Sequence, residues 1–207
     1  MSVARAERAP ERVTPSSDLQ VVAAIDLLAK LILVLFLVRV SVDRAWGHME
    51  GKAPLTRAIV YPCLGAVVPL LHLVRNRAEP YPWAADLLVT LAGFSDILGN
   101  RLDLYDRIRW FDDWMHVMNT GFVAAAVLLL TTTSATLGRL LERSVAVGMT
   151  TSLVWEVWEY FAFVTRSPEH PDAYADTVGD LALGWIGALT AAIVVAEIRR
   201  RHAGARE

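Results

Sequence analysis

The residues that could do chemistry sit inside, or at the ends of, apolar runs. Glu156 and Glu159 occur within Trp155-Glu156-Val157-Trp158-Glu159-Tyr160. Asp112-Asp113-Trp114-Met115-His116 opens a second apolar run, with Asn119 beyond it. Asp96 and Asn100 close a third, and Asp176 and Asp180 open a fourth. Asp96, Asn100 and Asp103 follow i, i+4, i+7 spacing, as do Asp112, His116 and Asn119, so each set shares one helical face. Oxygen ligands with one imidazole suit a hard or borderline divalent ion: Mg, Mn, Zn or Fe. The expected ligands are Asp112, Asp113, His116, Glu156, Glu159, Asp176 and Asp180. In a catalytic site Glu156, Glu159 or His116 would act as acid or base, with Asp96, Asn100, Asn119 and Arg109 on the substrate. The spacing matches neither a zincin signature nor the paired Glu-x-x-His of ferritin-like di-iron proteins, so the identity of the ion stays open. There is no serine or cysteine nucleophile motif and no phosphate-binding glycine loop.

The elements that must carry these residues follow from composition. Of 207 residues, 55% are hydrophobic and 20% charged, against about 25% charged in a soluble domain. Residues 58–74, 117–138 and 181–196 contain no Asp, Glu, Lys or Arg. Uncharged apolar runs of this length read as membrane spans. The expected fold is an all-α, polytopic transmembrane bundle with spans at 21–42, 58–74, 83–100, 113–133, 143–165 and 177–197. Continuous runs rich in Leu and Ala argue against a membrane barrel. Residues 1–18, with Arg5, Arg8, Arg12, Pro10 and Pro15, are expected to form a disordered basic tail. Residues 19–198 would be the transmembrane domain, and 199–207 a basic cytoplasmic tail. A net charge of −2 and a lone Cys63 exclude a nucleic-acid binder, a disulfide scaffold and a cysteine metal cluster.

Arginine and lysine bias sets the orientation. With both termini in the cytoplasm, the inner segments hold Arg5, Arg8, Arg12, Arg75, Arg77, Arg139, Arg143, Arg199, Arg200, Arg201 and Arg206. The outer loops hold fewer: Arg44, Lys52, Arg57, Arg101, Arg107, Arg109 and Arg166. This topology brings the acidic positions of spans three to six to one depth, in the outer leaflet. An acidic residue at a span centre costs roughly 2.5–3.5 kcal/mol on insertion scales, so Glu156 and Glu159 should face the bundle interior. Crowded carboxylates there need a positive partner: His116, Arg101, Arg107, Arg109 or a metal ion. Simpler roles stand beside these. Asp112, Asp113, Asp176 and Asp180 could cap helix N-termini. Asp26–Lys30 and Arg39–Asp43 read as structural i, i+4 pairs. His72 and Asp86 need no special role, and Gly184, Gly187 and Ala188 read as a close-packing face. The loop with His170 and Pro171 could form a lid.

The runs Asp96-Ile-Leu-Gly-Asn100, Phe111-Asp112-Asp113-Trp114-Met115-His116, Trp155-Glu156-Val157-Trp158-Glu159-Tyr160 and Asp176-Thr-Val-Gly-Asp180 resemble those of YjdF-type bacterial inner-membrane proteins. The resemblance covers roughly residues 83–190 and implies fold and membrane location, with no established reaction. More distantly, the chain is similar to VanZ-like membrane proteins, a family associated with glycopeptide-antibiotic resistance. The leading expectation is an inner-membrane protein with an outward-facing polar pocket. That pocket would bind a divalent cation and bind or act on a lipid-linked or envelope small molecule. The rivals are a proton- or cation-coupled transporter and a non-catalytic scaffold or accessory subunit. The expected partners are the bilayer and a second copy of the chain.

Overall fold

A computed structural model describes residues 17–75, 79–131, 135–162, 165 and 173–204. The basic tail with Arg5, Arg8 and Arg12, the loop with Arg166, His170 and Pro171, and Arg77 and Arg206 lie outside the described residues. The chain is all-helical there: α1 (Ser17–Val42), α2 (Pro54–Arg75), α3 (Trp83–Arg101), short α4 (Leu104–Arg107), α5 (Phe111–Thr131), α6 (Leu137–Ala162) and α7 (Ala173–Gly204). A 3-10 turn at Ala45–Gly47 joins α1 to α2. α1, α2, α5 and α7 are each long and apolar enough to cross a membrane. α3 and α6, of 19 and 26 residues, are long enough but less apolar along their length.

The six long helices correspond to the six expected spans. α2 starts at Pro54 rather than 58, which moves Arg57 from a loop into the first turn of a helix, where it is buried. α1 is apolar on nearly every face. Leu28 and Leu35 are 58% exposed and Val38 60%, a surface that only lipid would cover without penalty. α2 tolerates Pro62 and Pro69, as membrane helices do when neighbours or side chains satisfy the freed carbonyls.

Contacts between helices fix their directions. Arg57, early in α2, meets Asp96, late in α3, so these two run oppositely. Lys30 of α1 meets Asp86, early in α3. Ser95, late in α3, donates to Asn119, early in α5 (2.9 Å). Arg143, early in α6, donates to the carbonyl of Thr131 at the end of α5 (3.1 Å). Direction therefore alternates through the long helices in chain order, and one end of the bundle collects the end of α1, the start of α2, the end of α3, the start of α5, the end of α6 and the start of α7.

The two halves pack differently. α1–α3 bury sizeable side chains: Leu33, Leu37, Val40, Met49, Tyr61 and Ile97 form one cluster. α5–α7 approach through Thr120, Ala124, Ser144, Gly148, Ser152, Gly184, Gly187 and Ala188, all buried. Small residues let backbones come close, which is how helices associate where no hydrophobic effect drives them together. The face expected from Gly184, Gly187 and Ala188 is this contact. A Cβ at Gly187 would collide with the Val117 carbonyl, and one at Gly184 with the Ser152 hydroxyl.

Gly187→Ala should therefore lower the thermal midpoint of the purified protein in detergent. Overpacking costs about 1–3 kcal/mol and exceeds the roughly 1 kcal/mol gained by replacing a helical glycine. At Gly179 an added Cβ meets nothing within 4 Å, so Gly179→Ala should leave the midpoint unchanged or raised. Equal midpoints for the two variants would refute the close-packing account.

Candidate functional site

Three groups of buried charge occur among the described residues. The first lies toward the opposite end of the bundle. Lys30 bonds Asp26 (2.9 Å) and also Asp86. Thr90 donates to Asp26 (2.7 Å) and Tyr81 to Asp86 (2.5 Å). The expected Asp26–Lys30 pair is thus half of a larger cluster. Asp86, to which the sequence assigned no role, is its other carboxylate and is 1% exposed.

The second group links α2 to α3. Asp96 accepts from Arg57 Nε (2.9 Å), Tyr61 (2.5 Å), Tyr105 (3.0 Å) and Asn100 Nδ2 (3.3 Å). The Arg57 guanidinium also bonds the Lys52 carbonyl. It lies 5.6 Å from the Trp155 ring centre and 5.0 Å from that of Trp158, within cation–π range. Asp96 thus has its acceptor capacity filled by protein. Arg57, Tyr61, Tyr105, Trp155 and Trp158 were not expected here. The available signal was Arg57–Tyr61 at i, i+4, hidden because the helix start was placed after Arg57.

The third group is built where α5 and α7 begin and α6 ends. Asp112 and Asp113 occupy the first turn of α5, where the helix dipole favours negative charge. One turn on, His116 points into the bundle and is 9% exposed. Its Nε2 stands 3.7 Å from Asp112 Oδ1 and 3.6 Å from Asp180 Oδ1. Its Nδ1 stands 3.7 Å from Glu156 Oε1. Donor atoms of Asp112, His116 and Asp180 all lie within 4.8 Å of one another, and those of His116, Glu156 and Glu159 form a second such set. Glu156 Oε1 is buried and has no hydrogen-bond partner.

The spacing is informative. Hydrogen bonds to a ring nitrogen would measure about 2.7–3.2 Å. Donors bound to one tetrahedral ion at about 2.0–2.2 Å stand about 3.3–3.6 Å apart. The gaps around His116, at 3.6–3.7 Å, exceed the first range and lie at the upper edge of the second.

The other expected residues separate from this chamber. Asp113 and Asp176 are exposed and belong to neither set. Asp113 sits roughly 100° round α5 from Asp112. Asp176 lies one turn nearer the start of α7. Asn119 is engaged by Ser95 at the α3–α5 contact. Asn100 faces Asp96, and Arg109 is exposed. Of the proposed cationic partners, Arg101 lies over Trp46 (4.6 Å) and Arg107 pairs with Asp103 (2.7 Å). Arg107 holds the Asp103 carboxyl, between α3 and α4, below its ordinary range. No arginine forms an ion pair with the chamber carboxylates among the described residues.

Residues 25–201 match the family described as predicted membrane protein (DUF2238), and the chain belongs to that family. This agrees with the resemblance to YjdF-type proteins; the likeness to VanZ-like proteins is not shown. No curated protein and no solved structure matches the chain.

Removing one member of a buried ion pair costs about 3–5 kcal/mol, so Asp96→Ala should sharply lower the unfolding midpoint in detergent. Replacing Arg57 with Met and Asp96 with Leu together should recover much of that loss. Arg39→Ala breaks a half-exposed pair with Asp43 and should cost no more than about 1 kcal/mol. A smaller effect for Asp96→Ala than for Arg39→Ala would contradict the assignment.

Proposed function

We propose that this membrane protein binds a divalent cation in the chamber formed by Asp112, His116, Glu156, Glu159 and Asp180. The chamber opens on the side away from the cytoplasm, and the bound ion serves to bind or act on a lipid-linked or envelope small molecule. The observation that carries this reading is the set of 3.6–3.7 Å gaps around His116, beside the buried, unbonded Glu156 Oε1. A bare cluster of this kind is costly. Crowded carboxylates repel one another, and a buried charge needs a partner. The other two groups contain their own cation, Lys30 or Arg57. In the third the basic group within 4 Å of the carboxylates is the neutral-capable His116 imidazole, with Arg57 acting on Asp112 and Glu159 from farther off, and a metal ion would complete the charge balance.

Asp112 and Glu159 are partly exposed, which leaves a route for a ligand from the bundle end. Exposed Arg109, Trp110 and Trp114 flank that end, an arrangement suited to an anionic, lipid-borne headgroup. A bound divalent ion would polarise a carbonyl or phosphoryl oxygen and activate water. The protein's own part would be to hold the ligands, exclude bulk water and move a proton through an unligated carboxylate. Below the chamber, Thr120 and Ser152 bond each other (3.2 Å) and Gly148 packs on Ala188. This dense contact favours a binding or catalytic chamber over a transport path.

Metal analysis of chelator-stripped, reloaded protein tests the proposal. Wild type should retain Zn or Mn through gel filtration. His116→Ala should bind at least about tenfold more weakly, since even outer partners of a metal site are worth that much. Asp113→Asn, outside both donor sets, should bind as wild type does. If wild type retains no metal and chelation leaves its thermal midpoint unchanged, the cation reading is wrong.

A further inference from the structure

The donors form two sets that share one residue. Asp112 and Asp180 face His116 Nε2. Glu156 faces Nδ1, on the other side of the ring, with Glu159 completing that set. Ligands of one ion at about 2.2 Å cannot stand more than about 4.4 Å apart, and the two nitrogens of an imidazole direct their lone pairs away from each other. A single ion on either nitrogen therefore cannot be held by all five residues, which fall into two donor sets. It also leaves two negative charges uncompensated inside the bundle.

We propose that the chamber is a dinuclear centre in which His116 bridges two divalent cations. One ion sits on Nε2 with Asp112 and Asp180, and the other on Nδ1 with Glu156 and Glu159. This rests on the cation reading above and specifies its stoichiometry. Glu156 is 6% exposed, and its unbonded Oε1 is the atom directed at Nδ1. The second position thus has its own buried, unpartnered ligand. Binding both ions requires the neutral ring to lose its remaining N–H proton to solvent, so the bridge is an imidazolate. Two divalent ions balance the four carboxylates, and the imidazolate charge is shared between them. The ions would lie about 6 Å apart, from two bonds of about 2.1 Å and the width of the ring. Each set supplies three protein ligands and leaves a coordination position for substrate or water, the pattern of catalytic rather than closed structural sites. The substrate class that fits is one with an anionic group able to span both ions, such as a phosphate or carboxylate headgroup.

The test is a count of Zn per chain in the purified full-length protein, after chelation, reloading and gel filtration. Cu loading with electron paramagnetic resonance accompanies it. Two Zn per wild-type chain are expected, with the signal of isolated Cu lost through coupling across the ring. The double variant Asp112→Asn, Asp180→Asn should keep one Zn, and so should Glu156→Gln, Glu159→Gln. One Zn in wild type overturns the dinuclear centre and leaves the single-cation reading standing. No Zn overturns both. Two Zn with uncoupled Cu, or a double variant that loses both ions or neither, overturns the bridge. Should a variant fail to fold, the wild-type Zn count and Cu coupling decide by themselves.

Discussion

Holding charge away from water is the constraint that organises this molecule. A membrane bundle has few places for an ionised group, and each such group must meet an opposite charge or a set of donors. Two of the three buried groups satisfy this from within the chain. Lys30 serves Asp26 and Asp86. Arg57 serves Asp96, helped by two tyrosine hydroxyls and the faces of Trp155 and Trp158. These are packing devices: one joins α1 to α3 and the other α2 to α3, and the Asp96 oxygens have little left to offer a ligand. The group around His116, carried by α5, α6 and α7, ends differently. Its carboxylates converge on a ring that brings no fixed positive charge, at distances too long for hydrogen bonds. Structural acids and functional candidates are thus separated by the presence of a bonded Lys or Arg, since Asp86 Oδ1, like Glu156 Oε1, is buried without a hydrogen bond.

The two halves of the bundle divide the work. In α1–α3 bulky side chains and buried ion pairs fill the interior. In α5–α7 glycine, alanine, serine and threonine bring the backbones together. Ser144 donates to the Ala188 carbonyl (2.5 Å), and Thr120 bonds Ser152 (3.2 Å) one turn beneath His116 and Glu156. This close contact fixes the rotation of α5, α6 and α7 about their own axes, so Asp112, His116, Glu156 and Asp180 are aimed inward by packing one turn away. A site on rigid helices holds its geometry better than one on loops. The tryptophans couple the halves, since Trp155 and Trp158 lie on the same helix as Glu156 and Glu159 while stacking on Arg57 from α2.

Most of the helical plan was legible in the sequence, because uncharged apolar runs identify spans whatever their neighbours do. The i, i+4 spacing of Asp112 with His116 and of Asp26 with Lys30 also translated directly into contacts. The failures have specific causes. Arg57 was counted with a loop because hydropathy places a span boundary inward of any charge, whereas the α2 helix continues outward to Pro54 around its buried arginine. Asp86 seemed incidental because its partner lies 56 residues away in α1, and helical periodicity carries no information about contacts between helices. Asp113 and Asp176 were grouped with the chamber by proximity in sequence, but rotation round α5 and position at the start of α7 leave both in the open. The arginines nominated as cationic partners of the chamber are taken up by local contacts: Arg101 by Trp46 and Arg107 by Asp103.

Those local contacts also bear on orientation. At the chamber end, Arg39 pairs with Asp43, Lys52 with Asp106 and Arg107 with Asp103. At the opposite end Arg139, Arg143, Arg199, Arg200 and Arg201 cluster within the described residues, and Glu197 is shared by Arg200 and Arg201. Arg44 and Arg109 are also exposed at the chamber end, so pairing alone does not distinguish the two ends. Lys and Arg excess retains short segments in the cytoplasm, and the excess counted over the whole sequence is the ground on which we propose a chamber that faces the far side of the membrane. A site there would meet exterior ions and headgroups directly. It would also sit just beneath the interface, where a lipid-borne substrate can present its polar end without leaving the bilayer. The bundle then needs no continuous path across the membrane, which is consistent with the dense glycine and serine contacts directly beneath His116.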